Sequence, residues 1–370
     1  MDDVRPLSLA AAIDQYQRQA ADHFGGSEAE LAQWYDFDSW DTLTEWVVEV
    51  TRPGSAVWQF ERAVEAIIDG DAGKLSLLMN ANPELVRQRS MREHQATLLI
   101  YVGANGVEGY RQRTPKNIVH VARLLLDAGA ELEYVGRMYR GTTTLGLVAT
   151  SVHPVITGVQ EELMQFLLDR GASMERAVAP DYTDGFVVNA CLANGRPNAA
   201  AFLAARGAPL NLEGAGGIGR LDVVKTYFNA DGTLKGTATP AQFNSAFKWA
   251  CSYGQKDVVE YLLPKGINLA EQHRGETPLH MAAYGGRVEI GRLLLAQGAP
   301  VDVRDESYRS PPLGWALYGW SHPPEDPGGA RHRETVELLI AAGSPVEADW
   351  LKDEQVRADP VILAALTAAR

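Results

Sequence analysis

Thr277-Pro278-Leu279-His280-Met281-Ala282-Ala283, followed by Gly285-Gly286, Leu293-Leu294-Leu295 and Gly298-Ala299, decides the fold. Each residue type in this stretch has a mechanical role. Thr277 caps a first helix, and Pro278 takes the first helical position, where its missing N–H goes unneeded. Ala282 and Ala283 are small enough for a second helix to lie close. The three leucines give that second helix an apolar face, and Gly298 closes it in a left-handed cap. Such a helix-turn-helix unit cannot bury its own apolar side, so it demands neighbours above and below.

Those neighbours are present. The closing glycine recurs at Gly129, Gly171, Gly207, Gly266, Gly298 and Gly343, each behind an apolar helix pattern such as LLLDAG or LLAQG. The spacing is close to a period of about 33 residues once insertions and one shortened unit are allowed for. With T-P-L-H-x-A at 277–282, the chain resembles an ankyrin-repeat protein over residues 57–348. The combination of ATLLIYVGANGVEGYRQRTPKN, TTTLGLVATSVHP and PLGWALYGW also looks like a group of bacterial ankyrin-repeat proteins, a likeness that carries no activity with it. The resemblance implies an all-α solenoid of about eight helix-turn-helix repeats, at 57–88, 89–135, 136–175, 176–209, 210–240, 241–272, 273–305 and 306–348. An acidic, Trp-rich helical cap at 1–56 precedes the array. A capping helix at 349–370 follows it, with Val361, Leu363 and Leu366 on its covered side.

Composition excludes several functions. The formal net charge of −13 repels a phosphate backbone, so no nucleic-acid partner is expected. Cys191 and Cys251 fall at small-residue positions of inner helices and read as buried thiols, without disulfide or metal spacing. The eight histidines show neither H-E-x-x-H nor H-x-H, so no metal and no cofactor are expected. The N-terminus is acidic and lacks a signal-peptide core. No stretch is long and apolar enough to span a bilayer, and a cytoplasmic protein is expected. Gly214-Ala215-Gly216-Gly217-Ile218-Gly219 matches the G-x-G-x-x-G fingerprint, but no strand precedes it. In repeat register Gly219 is a turn glycine before an outer helix.

Three insertions, at 107–117, 152–160 and 320–332, separate the inner and outer helices of their repeats. The first two belong to consecutive repeats and are expected side by side, walling a pocket. Charge favours an anion there, because residues 87–140 carry nine Lys and Arg against five Asp and Glu. Arg111 and Arg113 are the candidate anion ligands, with Tyr101, Asn105 and His153 nearby. His94, Glu108 and Tyr110 are the candidates for proton transfer should the chain be a cofactor-independent cyclase, lyase or isomerase. His94 itself is expected at an exposed finger tip. Trp249 and Tyr253, Met281 and Tyr284, and Trp315 and Tyr318 pair at helical spacing on inner helices, an aromatic stripe facing the groove. Aromatics left facing water mark interfaces. Two readings therefore stay open: a recognition scaffold holding a protein or peptide in its groove, and a small-molecule site at the insertions.

Overall fold

The computed structural model describes residues 4–181, 183–323 and 329–369, and the chain divides into two compact units, 1–203 and 204–370. In the first unit three helices precede the repeats: α1 (Ile13–His23), α2 (Glu28–Trp34) and α3 (Trp40–Val50). Gly25 and Gly26, both at positive φ, end α1, while the Ser27 and Ser39 hydroxyls cap α2 and α3. These helices bury a core of their own, including Tyr16, Leu31, Tyr35, Leu43 and Trp46.

The first repeat is α4 (Ala56–Asp69) and α5 (Ala72–Ala81), joined through left-handed Gly70 and capped by Asp71. The second repeat departs from expectation. Where an inner helix was expected there is a single 3-10 turn, Ile100–Gly103, before the outer helix α6 (Ile118–Asp127). Ala104 is left-handed at φ 46°, and a Cβ on Gly103 would stand 2.7 Å from Leu147 Cβ, so the segment turns away early. The third repeat is α7 (Thr144–Thr150) and α9 (Gln160–Asp169), with the insertion forming the short α8 (His153–Thr157) between them. The fourth is α10 (Val187–Ala193) and α11 (Pro197–Ala205).

The second unit shows the repeat principle most plainly. Its helix pairs are α12 (Leu212–Gly217) with α13 (Leu221–Thr226), α14 (Pro240–Tyr253) with α15 (Lys256–Leu262), α16 (Pro278–Tyr284) with α17 (Val288–Ala296), and α18 (Pro312–Ser321) with α19 (His332–Ala341). α12, α14, α16 and α18 pack in succession as one layer; α13, α15, α17 and α19 pack as the other. The T-P-L-H stretch works as its residue types dictate. Thr277 Oγ1 accepts from the His280 backbone N–H and lies 2.7 Å from His280 Nδ1, while His280 Nε2 reaches the Ser310 carbonyl of the next repeat at 3.1 Å. The G-x-G-x-x-G segment lies in α12 and its exit turn. A Cβ on Gly216 would come 2.8 Å from the Ala246 carbonyl, so this glycine lets α12 and α14 approach.

At the C-terminus Pro360 splits the expected single helix into α20 (Glu354–Ala358) and α21 (Pro360–Ala368), with Asp359 capping the second. Leu366 is covered as expected, but Ile362 is the buried partner and Val361 faces water. Of the third insertion, residues 324–328 lie outside the described residues, and α18 runs on into it as far as Ser321.

Candidate functional site

The expected N-terminal corner is built differently from its sequence reading. The two insertions do meet, Thr157 Oγ1 donating to the Thr114 carbonyl at 2.9 Å. Between them, however, the polar groups are turned inward. Arg111 is buried and spends its guanidinium on carboxylates: Nη1 lies 2.6 Å from Glu61 Oε2 and 3.1 Å from Glu108 Oε1, and Nη2 lies 2.9 Å from Glu65. Arg92, a finger residue to which the sequence reading gave no role, sits beside it at 2.5 Å from Glu61 and 2.6 Å from Glu108. Arg92 is also clasped by the Phe37 and Trp46 rings, and Trp46 Nε1 donates to Glu61 at 2.9 Å. The expectation of an open, electropositive Arg111 is thus corrected: two guanidiniums are matched by buried glutamates.

The other candidates take up structural posts around this cluster. Tyr101 is buried with its hydroxyl 3.3 Å from Glu108. Tyr110 stacks on Trp34 and meets Tyr35 edge-on, pinning the first insertion to the N-terminal helices. Asn105 donates to Thr150 and accepts from Tyr139. His94 is not at an exposed tip but buried, because the segment around Asp36 covers it. Its Nδ1 accepts from the Ala96 N–H at 2.9 Å, which leaves Nε2 as the protonated nitrogen, 3.4 Å from Asp36 and 3.6 Å from Glu108. His153 opens α8, half-buried, its pKa lowered by burial and then by Arg196. Arg113 stays at the surface, 3.1 Å from Asp69.

Electrostatics follow from this packing. Burial alone would raise the carboxyls of Glu61 and Glu108; the two guanidiniums overcome it and hold both below the usual carboxylate range. Asp36 shifts the other way, upward, because of burial. A depressed pKa in the folded state means stability that is full above the unfolded carboxylate value of about 4.3 and lost as pH falls through the folded value. Acid unfolding followed by tryptophan fluorescence is therefore expected to begin below about pH 4, and Glu61→Gln is expected to flatten that dependence, with Asp36 subtracting from it. A wild-type profile flat down to about pH 2 would contradict the pairing.

In the second unit the aromatic positions converge on a cavity of about 530 Å³. Asp305, fully buried, accepts from the backbone N–H groups of Ser307, Tyr308 and Ser310 and from Trp315 Nε1 at 3.1 Å, so one carboxylate shapes the finger loop and fixes the indole. Burial would raise this carboxyl, but the donors bring it below its ordinary value. Arg304 Nη1 ties the loop to Glu347 at 2.7 Å. Gly314 leaves room for Ser310 and for the Trp350 ring, which a Cβ would meet at 2.0 and 3.0 Å. Tyr284 meets Trp315 edge-on at 5.9 Å and stacks with Tyr318 at 6.3 Å; Tyr308 meets Trp315 at 6.1 Å. Tyr308 is 78% exposed and Tyr318 56%. The expected stripe is thus shortened: Tyr284, Trp315 and Tyr318 come together, whereas Trp249 and Tyr253, half-buried on α14, do not line the cavity, and Met281 packs toward the core. Tyr308 and Trp350 were missed. Tyr308 lies three residues after the finger acid Asp305, which is the signal that could have found it; Trp350 opens a 3-10 turn, Trp350–Lys352, and no comparable signal precedes it.

Fold and site together define a two-layer helical repeat protein with an aromatic cavity at its finger loops. Residues 215–319 match the family of ankyrin repeats, in three copies, and the chain carries ankyrin repeats. It is 40% identical over 62 residues to the E3 ubiquitin-protein ligase hecd-1 of Caenorhabditis elegans, a match covering 17% of this chain and 2% of that protein. Over 106 residues it is 36% identical to the ankyrin repeat and KH domain-containing protein mask of Drosophila melanogaster, covering 28% and 2%. Inversin of Danio rerio is 39% identical over 71 residues, covering 18% and 7%. The chain therefore matches only a small part of the length of these relatives. Among solved structures it is similar to the human ASB11 ankyrin repeat domain, with 20% identity, a TM-score of 0.36, and coverage of 76% of this chain and 98% of that one. Among the described residues no helix is long and apolar enough to cross a membrane.

Proposed function

We propose that this chain is a cytoplasmic recognition scaffold that holds a protein or peptide partner in its groove, with the aromatic cavity on α18 and its finger loop as the anchor point. The observation that carries this reading is the cavity itself: five aromatic rings, from Tyr284, Tyr308, Trp315, Tyr318 and Trp350, around about 530 Å³. Exposed tyrosines beside a half-buried tryptophan are the residue types that dominate binding energy at protein interfaces, because they supply large rigid area at low entropic cost. Asp305 and Arg304 hold the loop in shape before any partner arrives, which lowers the ordering cost of association.

The test is a selection of peptides from a random display library on the wild-type protein, followed by affinity measurement of the enriched peptides by fluorescence polarisation. Tyr308→Ala and Tyr318→Ala, chosen because both side chains are largely exposed and carry little of the fold, are each expected to weaken binding by about 1–2 kcal/mol, roughly 5- to 30-fold. Melting temperatures are expected to stay within about 2 °C of wild type. Peptides that bind both variants as tightly as the wild type would remove the cavity from the proposal.

A further inference from the structure

In the first unit, a second cavity of about 400 Å³ lies between α4, α5, the 107–117 insertion and the N-terminal segment 6–9. Its walls include the insertion and the N-terminal segment, and residues 152–160 do not line it, so it is a different cavity from the one expected between the two insertions. Four cations line it, Arg62, Lys74, Arg111 and Arg113, against two acids, Glu65 and Asp69. The acids are already engaged: Glu65 with Arg111, and Asp69 with Arg113. Among the described residues no carboxylate pairs with Arg62 or Lys74, both half-buried. Arg62 instead lies over the Trp58 ring, 5.3 Å from its centroid. Two donors at this cavity, Arg62 Nε and Arg111 Nε, are buried without any hydrogen-bond partner. Arg62 and Lys74 thus bring two positive charges without a carboxylate partner to one cavity. Beside these charges and Ser8 the lining is apolar or aromatic, including Leu7, Leu9, Trp46 and Ile68.

We infer that this cavity is a binding site for a small organic oxyanion, a carboxylate or phosphate monoester with an apolar body. Arg62 and Lys74 receive the charged head, and the leucine, tryptophan and isoleucine side chains cover the body. The volume is that of a small-molecule site rather than of a polyanion surface. The net charge of −13 keeps polyanions away, while the local excess of cations attracts a small anion. Arg111 is not an anchor to be tested by deletion, since it holds Glu61 and Glu108 within the fold.

The experiment titrates the full chain with phenyl phosphate and with benzoate, following tryptophan fluorescence, with benzyl alcohol and inorganic phosphate as the neutral and body-less controls. Saturable binding of at least one of the two aromatic anions is expected, tighter than either control by about tenfold or more. Lys74→Gln is expected to weaken it about tenfold and Arg62→Gln/Lys74→Gln about a hundredfold, with unchanged far-UV circular dichroism. Absence of binding of both anions up to about 10 mM would overturn the inference. So would equal binding of benzyl alcohol, or an affinity unmoved by Lys74→Gln. Because the site lies in the first unit, none of these outcomes bears on peptide binding at Tyr308 and Tyr318.

Discussion

Arg92→Met is expected to lower the unfolding free energy of the first unit by about 3–5 kcal/mol, the loss that follows when one partner of a buried ion pair is removed and the other is left uncompensated. The magnitude rests on burial. Arg92, Glu61 and Glu108 are all shielded from water, and Arg92 stands between the two carboxylates at 2.5 and 2.6 Å. Removing it leaves two negative charges facing each other with Arg111 alone to share, and a methionine cannot replace the donors. Urea denaturation followed through the Trp46 indole, which donates to Glu61, is the measurement. Replacing Arg92, Glu61, Glu108 and Arg111 together by apolar residues of similar volume is expected to recover much of the loss, because no buried charge then remains. A loss below about 1 kcal/mol for Arg92→Met would mean that water reaches the cluster.

Gly285→Ala is expected to cost the second unit about 1–3 kcal/mol through crowding. Gly285 has an ordinary helical φ of −74°, so no backbone strain attaches to the substitution, but a Cβ there would stand 2.2 Å from the Ser252 carbonyl at the end of α14. That carbonyl also accepts from Arg287 Nε at 2.9 Å, so backbone movement would break a second contact. Gly298 makes the useful comparison. Its φ is 82° with nothing within 4 Å of the added carbon, so Gly298→Ala reports only the left-handed penalty of about 1–2 kcal/mol. Thermal melts of the two variants separate close approach from backbone strain. An effect at Gly285 smaller than that at Gly298 would show that the inner helices can spread.

These cases mark where the sequence was readable and where it was not. The 277–299 stretch was legible because its determinants are local: a capping threonine, a proline at the first helical position and a glycine at the end each act on residues within one turn. The exit turn at Gly219 was legible for the same reason, φ +78° before α13. The inner helix expected in the repeat at 89–135 is replaced by one 3-10 turn that ends at left-handed Ala104, with Gly103 close against Leu147 of the next repeat, a contact that no local pattern announces. Arg111 was misplaced for a similar reason. Its partners Glu61 and Glu65 are 50 and 46 residues away, and no spacing rule connects them. A hint was available in α4, where Glu61 interrupts the apolar face of Phe60, Val64 and Ile67; a carboxylate there demands a buried cation. The aromatic cavity was half legible. Periodicity placed Tyr284, Trp315 and Tyr318 on inner helices, but Tyr308 stands on a finger loop and Trp350 in a three-residue 3-10 turn, too short for a period to show.

The central claim, that the aromatic cavity is where a partner anchors, is tested most directly by site-specific photocrosslinking in the cell. A photoreactive phenylalanine analogue placed at Tyr308 lies at the cavity mouth, and the same analogue at Tyr139, 48% exposed in the first unit, is the control. The account predicts a discrete crosslinked polypeptide from position 308, mapped by mass spectrometry to one segment of one partner, lost when Trp350→Ala is added, and absent from position 139. No adduct at 308, or the same adducts from both positions, would contradict it.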